Sequence, residues 1–170
     1  MAERDLRRRC RRLLNDLGIQ PPLDVAELCR RVGEQRGRPV RLVAHPIPVP
    51  GPYGVWIATA SADYIVYQRE TSKAHQNHII LHELGHLLAG HTGDEQDNAV
   101  LEGLYPDLDP EAVRRALRRT SYDTEHEREA ETVATIILEW ASVLDQVAPR
   151  ASEGPARRMA SSLADRLGWL

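Results

Sequence analysis

His82, Glu83 and His86 stand in the run Ile79-Ile80-Leu81-His82-Glu83-Leu84-Gly85-His86-Leu87-Leu88, an HExxH arrangement. On a helix, residues four apart lie about 40° apart in azimuth and about 6 Å apart along the axis, so two imidazoles at that spacing can converge on one metal ion. Zinc accepts such nitrogens at about 2.0–2.1 Å. Glu83 is rotated by about 100° from His82 and about 60° from His86. That places it beside the metal, too far round to be a ligand, where a carboxylate can act as general base on a water at the metal's open position. The remaining residues of 79–88 are uncharged. A buried helix with two His and one Glu is costly unless something compensates, and metal coordination compensates all three. Gly85 also needs a reason, because glycine inside a helix costs about 1 kcal/mol against alanine. Close approach of another backbone would supply one. The bland alternative is a partly exposed helix carrying a surface His/Glu pair.

A catalytic zinc takes three protein ligands and keeps one position open. The extended metzincin pattern needs Gly at 89 and His at 92. Here those are Ala89 and Thr92, and His91 comes one residue early, so the third ligand must lie elsewhere. Its source is Glu125-His126-Glu127-Arg128-Glu129-Ala130-Glu131. Acids there also suit a helix N-terminus, and Thr124-x-x-Glu127 reads as a capping box, which is the bland account of Glu127. Periodicity does not separate Glu127 from Glu129: the apolar stripe Ala130, Val133, Ile137, Trp140, Ala141, Leu144 centres about 80° from each. The small residues Ala130 and Ala134 lie on the side of Glu127, and Gly85 offers a matching gap, which favours Glu127 and leaves Glu129 as a surface or core-edge acid. Glu131, one turn on, is placed to accept a hydrogen bond from a ligand histidine. His78, one turn before His82, suits a supporting role or a plain surface position, and His91 reads as structural. His45 and His75 have no assignable partner. Tyr122 is a weak candidate for stabilising an oxyanion. Tyr64 and Tyr67 read as sheet residues, and Trp56, Trp140 and Trp169 as packing residues.

These groups need elements to hold them. Leu6, Cys10, Leu13, Leu14 and Leu17 form one apolar stripe, predicting a helix over 3–17 that stops at Gly18. After Pro21-Pro22, Asp24 caps a short helix through Val25, Leu28, Cys29 and Val32, with Gly33 as its stop. Val40–Val43 is a short strand. Pro46, Pro48, Pro50 and Pro52 require an extended loop. The runs 55–57 and 64–67 form a hairpin. Helices follow at about 74–90, from Asp109-Pro110 to about Arg119, at about 124–146 and at about 154–167, with a polar, acidic loop at 92–109. The class is α+β: a small three-stranded sheet beside the HExxH helix in a mainly helical unit. One domain, 1–170, is expected, made of N-terminal helices (1–36), the sheet (37–70), the metal-site helices (74–147) and a C-terminal helix (154–167).

The composition of the 170 residues agrees, with 42% hydrophobic and 28% charged residues, neither disordered nor membrane-spanning in character. Residues 1–12 are charged and have no apolar run, so a secretory signal is not expected. Two cysteines, Cys10 and Cys29, cannot build a disulfide framework, and both fall on apolar faces. A cytoplasmic location with reduced thiols follows as the expectation. The net charge of −3 hides an asymmetry: residues 1–41 carry eleven Arg against six Asp and Glu. A solvated helix face is the ordinary explanation, and a contact with nucleic acid the sharper one. No phosphate loop, GxSxG motif, Cys–His pair or helix-turn-helix signature is present. Direct nucleic-acid binding is therefore not favoured.

The segment His82-Glu83-Leu84-Gly85-His86-Leu87-Leu88-Ala89-Gly90-His91, followed by Glu127-Arg128-Glu129-Ala130, resembles the ImmA/IrrE family of zinc metallopeptidases, whose pattern is HELGHxxxxH and then ExEAN before a small-apolar helix. The resemblance covers about residues 20–145, strongly at the two motifs and weakly elsewhere. It implies a minimal, gluzincin-like zincin fold with a small twisted sheet beside the active-site helix. It implies that the first Glu of ExEA, here Glu127, is the third Zn2+ ligand. It also implies that the strand at 63–68 is an edge along which an extended peptide pairs, whereas the residues alone read equally as an ordinary sheet strand. A bacterial cytoplasmic peptidase is implied, with an XRE-type helix-turn-helix repressor as its protein substrate. Three departures stand out. Glu131 replaces the usual Asn or Asp, Thr132-Val133-Ala134 stands where an aromatic–Ala pair is common, and Ile137-Leu138-Glu139-Trp140 replaces the Leu-Met-Pro close. The ligand chemistry survives these changes, while the substrate cleft need not.

The expectation is thus a zinc endopeptidase with His82, His86 and Glu127 on the metal and Glu83 as general base. The alternative class is a non-proteolytic metal-containing regulator, or a toxin–antitoxin-type component, that binds a repressor or nucleic acid.

Overall fold

The computed structural model describes residues 3–91, 113–114, 116–117 and 122–147, the last four of these by backbone alone. Leu6, Cys10 and Leu14 repeat on one face and are the buried residues of α1 (Glu3–Asp16). α2 (Val25–Arg36) is capped by Asp24, whose carboxylate accepts from the Glu27 N–H at 3.0 Å. Its end corrects the sequence-based expectation. The helix runs through Gly33 and stops at Gly37, which takes a left-handed φ of 66°. Gly33 serves packing instead. The chain doubles back over it into the first strand, and a Cβ there would lie 2.7 Å from the Val40 nitrogen.

Strands β1 (Val40–His45), β2 (Gly54–Ala58) and β3 (Asp63–Gln68) form one sheet in the order β1-β3-β2. β2 and β3 are an antiparallel hairpin with Val55 opposite Val66, and β1 runs parallel to β3 with Leu42 opposite Ile65. The strand expected at the edge is therefore the central one. Its apolar run explains this: Ile65 is buried on one face, Tyr64 and Val66 on the other, as a strand covered on both sides requires. β2 takes the edge position.

One face of the sheet packs on the helices. Ile65 shares a cluster with Leu14, Leu28, Leu81, Leu84 and Ile137. The other face, Val55, Ile57, Tyr64 and Val66, is covered by Val113, Ala116 and Leu117. Those three are helical, within the helix expected from 109 to 119, whose two ends lie outside the described residues. So do the acidic loop at 92–109, apart from its neighbour His91, and the C-terminal helix at 154–167. The loop before β2 is fastened by Gln68, whose buried amide donates to the Ile47 carbonyl at 2.7 Å and accepts from the Ile47 N–H at 3.1 Å. The Gln68 N–H donates to the Tyr53 carbonyl at 2.8 Å, which fixes the entry to β2.

α3 (Lys73–Ala89) starts at Ser72, whose hydroxyl accepts from the His75 N–H, and ends at Gly90, with a left-handed φ of 69°. It packs against the sheet on one side and against α4 (Thr124–Val147) on the other. The α3–α4 crossing is tight at one place. A Cβ on Gly85 would lie 2.9 Å from both Cα and O of Ala130. This is the backbone approach that a glycine inside an apolar helix called for. Among the described residues the chain is thus α+β, with four helices around a three-stranded sheet, and none of its helices is long and apolar enough to cross a membrane.

Candidate metal centre

The inner face of α3 carries both histidines of the HExxH run, and α4 brings Glu127 to them. His82 Nε2 and His86 Nε2 are 3.1 Å apart. Glu127 reaches both, with Oε2 at 3.3 Å from His82 Nε2 and Oε1 at 3.5 Å from His86 Nε2. A tetrahedral ion with bonds of about 2.0–2.1 Å sets its ligand atoms about 3.3–3.4 Å apart, so this triangle has the dimensions of a ligand set. It is also the one group of His, Cys, Asp and Glu among the described residues with metal-holding geometry.

Glu127 is free for this role because it does not cap its own helix. Asp123 does, its Oδ1 accepting from the N–H groups of Glu125 and His126, both at 2.9 Å. The Thr124–Glu127 capping box therefore does not form: the cap lies one residue earlier, and the Glu127 carboxylate turns toward α3. One turn later Glu131 reaches the outer ring nitrogens, with Oε2 at 3.2 Å from His82 Nδ1 and Oε1 at 2.9 Å from His78 Nε2. A carboxylate facing His82 Nδ1 holds the proton there and leaves a lone pair on Nε2, which points into the triangle. His86 is wholly buried. Burial, followed by its neighbours His82, His91 and His126, pushes its pKa down to about 3, so the ring is neutral and able to donate a lone pair.

Glu83 is buried beside the triangle and its Oε2 has no hydrogen-bond partner among the described residues. Burial, then the charge of Glu127, raises its pKa to about 8, and a main-chain hydrogen bond from Trp56 opposes this. A cation between the histidines would relieve both the repulsion and the desolvation. The donor set and the stranded carboxylate together fit a divalent metal. Gly54, the first residue of β2, makes room for Glu83: a Cβ there would lie 3.1 Å from Glu83 Oε1 and 2.6 Å from Ile79 Cγ2. Beside these residues opens a cleft of about 360 Å³, lined also by Tyr53, His75 and Tyr122. The edge strand thus begins at the mouth of the site.

Two residues make contacts that the sequence did not assign to them. His91 was expected to be structural and Glu129 a surface or core-edge acid. His91 Nδ1 lies 3.1 Å from His86 Nδ1, and His91 Nε2 lies 3.3 Å from Glu129 Oε2. The signal for His91 was its place next to Gly90. A left-handed glycine that ends a helix folds the following residue back over the last turn, and here the His91 N–H donates to the His86 carbonyl at 3.1 Å. Tyr122, the weak oxyanion candidate, lies flat on the His86 ring with centroids 3.7 Å apart. Burial and the charges of Glu83 and Glu127 raise its pKa, so its hydroxyl keeps its proton. His75, without an assigned partner in the sequence, bonds Thr71 Oγ1 at 2.9 Å and meets the Tyr53 ring edge-on.

The site thus combines a three-donor triangle, a buried carboxylate beside it, and a cleft at the start of β2, an edge strand among the described residues. Comparison of the chain with protein-family models, curated proteins and solved structures returns no match, so this geometry and the motifs carry the functional argument.

Proposed function

We propose that the chain is a zinc-dependent endopeptidase of the HExxH type, as the ImmA/IrrE resemblance implies, acting in the cytoplasm on a regulatory protein such as a helix-turn-helix repressor. The observation that carries this reading is the convergence of His82 Nε2, His86 Nε2 and a Glu127 carboxylate oxygen within 4.8 Å of one another, with Glu83 buried alongside. Two imidazoles and one carboxylate are a donor set well suited to catalytic zinc. When bound, the ion supplies Lewis acidity to a water and to a peptide carbonyl. His82 and His86 offer neutral nitrogens for it, and Glu127 offers charge.

Glu83 moves the protons. Its carboxylate takes one from the attacking water and delivers one to the leaving amine. The Trp56 main chain and the space left by Gly54 hold that carboxylate in place. An extended peptide has a pairing edge in β2, which starts at the cleft. The minimal zincin description belongs to this proposal, supported by the sheet lying against α3.

Glu83→Gln tests the reading because it removes the base and keeps every ligand. The zinc-loaded variant is expected to bind zinc like wild type and to cleave a fluorogenic peptide library at least about 100-fold more slowly. Cleavage within tenfold of wild type would overturn the mechanism. If the variant lost cleavage but kept the regulatory activity of the protein in cells, the non-proteolytic regulator would be the better reading.

A further inference from the structure

The triangle leaves one question open: what makes His86 present a lone pair rather than a proton to it. His82 has an answer in Glu131. His86 Nδ1, buried in the interior, faces no carboxylate; it faces His91 Nδ1 at 3.1 Å. A pair of ring nitrogens at that distance is favourable only if one of them carries a proton and the other does not. His91 Nε2, in turn, faces Glu129 Oε2 at 3.3 Å.

We infer that Glu129 and His91 form a hydrogen-bond relay that holds the tautomer of His86, so that its Nε2 lone pair serves a cation shared with His82 and Glu127. Glu129, as a carboxylate, only accepts, so the proton of His91 sits on Nε2. In a neutral His91 ring Nδ1 is then an acceptor, and His86 donates to it from Nδ1. That leaves His86 Nε2 unprotonated. The reverse arrangement would place a His91 lone pair against a carboxylate that is four-fifths buried, with no donor between them.

The fold holds the relay at each joint. The left-handed Gly90 returns His91 to the last turn of α3. His91 stacks on His126, centroids 4.1 Å apart, and His126 is held by Asp123 at 3.3 Å. His86 is clamped by Tyr122 on its face. Glu127 and Glu129 lie about 200° apart on α4. One addresses the inner nitrogens of the histidines and the other the far end of the relay. His91 and Glu129 are therefore positioning residues: neither touches the metal position. The relay rests on the metal reading above, because lone pairs on His82 Nε2 and His86 Nε2, 3.1 Å apart, are favourable together only with a cation between them.

Two measurements separate these. Long-range 1H–15N correlation spectra of the zinc-loaded wild-type chain report which ring nitrogens carry protons. The relay requires protonated Nε2 and unprotonated Nδ1 on His91; the opposite tautomer on His91 would overturn it without any variant. Zinc affinity by competition with a chromophoric chelator then tests the effect. His91→Phe keeps the ring and removes the acceptor, and is expected to weaken zinc about 10–100-fold, as loss of a ligand's hydrogen-bond partner does. His91→Asn places an amide oxygen near the position of Nδ1 and is expected to recover most of that loss. Glu129→Ala should weaken zinc about tenfold and scramble the His91 tautomer. Variant affinities all within threefold of wild type would overturn the relay's role. A wild-type chain that binds no zinc would overturn the metal reading, whereas one that binds zinc with the opposite His91 tautomer would overturn the relay alone.

Discussion

Glu127 shows how much a single residue's role depends on its neighbours. One bland account was open for it, a helix cap. Asp123 takes the capping role, one residue earlier than the Thr124-x-x-Glu127 pattern indicates, and so frees Glu127 to meet His82 and His86. The convergence of His82 and His86 was legible from helix geometry, whereas Glu127 over Glu129 rested on the small residues Ala130 and Ala134 facing Gly85 and on the family resemblance. The pairing of His91 with His86 was not legible, because it depends on the conformation of Gly90. Gly54 was also silent in the sequence, since nothing local says that Glu83 and Ile79 will fill the space where its side chain would be. Gly54→Ala is therefore expected to destabilise the chain by about 1–3 kcal/mol, as overpacking does, and to cut peptidase activity at least tenfold by displacing Glu83. Urea unfolding and peptide cleavage check this; wild-type values in both would show that Glu83 does not depend on that gap.

At the scale of elements, the apolar period placed all four described helices, and most boundaries fall within a residue or two. α2 is the exception. Gly33 looked like a stop, but its small size is used against Val40, and Gly37 ends the helix. A glycine therefore marks either a left-handed turn or a close approach, and sequence alone does not say which. Strand order was equally out of reach, because hairpin signals fix β2 beside β3 but not where β1 joins. The crossing of α3 and α4 was legible, from Gly85 on one side and Ala130 on the other. It yields a sharp expectation. Gly85→Ala gains about 1 kcal/mol of helix propensity. It also places a methyl 2.9 Å from Ala130 Cα and O, a contact with backbone that cannot rotate away. Overpacking of that kind costs about 1–3 kcal/mol, so a net loss of stability and weaker zinc binding are expected. Adding Ala130→Gly should not rescue it, because the clash is with main-chain atoms. Rescue by that second change in urea unfolding would contradict the packing described.

For the molecule as a whole, part of the N-terminal charge is paired on the surface of the described residues. Arg7 reaches Glu3 on its own helix and Glu139 on α4, and Arg30 and Arg31 meet Glu27 on α2. Such pairs fit the solvated-face explanation of the basic N-terminal helices. The two cysteines belong to the common core built by α1 and α2. Burial raises both thiols, that of Cys29 to about 12, so thiolate is scarce at any ordinary pH. Both should resist a thiol-specific chromogenic reagent at pH 8 in the folded chain and react promptly in guanidinium. Fast reaction of either under native conditions would show that the helical layer opens where it is drawn closed.

The metal content of the purified chain bears most directly on the central claim. Elemental analysis after dialysis against trace zinc is expected to give one zinc per chain. The same preparation of Glu127→Ala should have little or none, because two histidines alone hold a catalytic zinc weakly. Glu129→Ala should still fill at saturating zinc despite its lower affinity. A wild-type chain that remains metal-free at saturating zinc, or a Glu127→Ala variant that keeps a full equivalent, would contradict the assignment of His82, His86 and Glu127 as the metal centre.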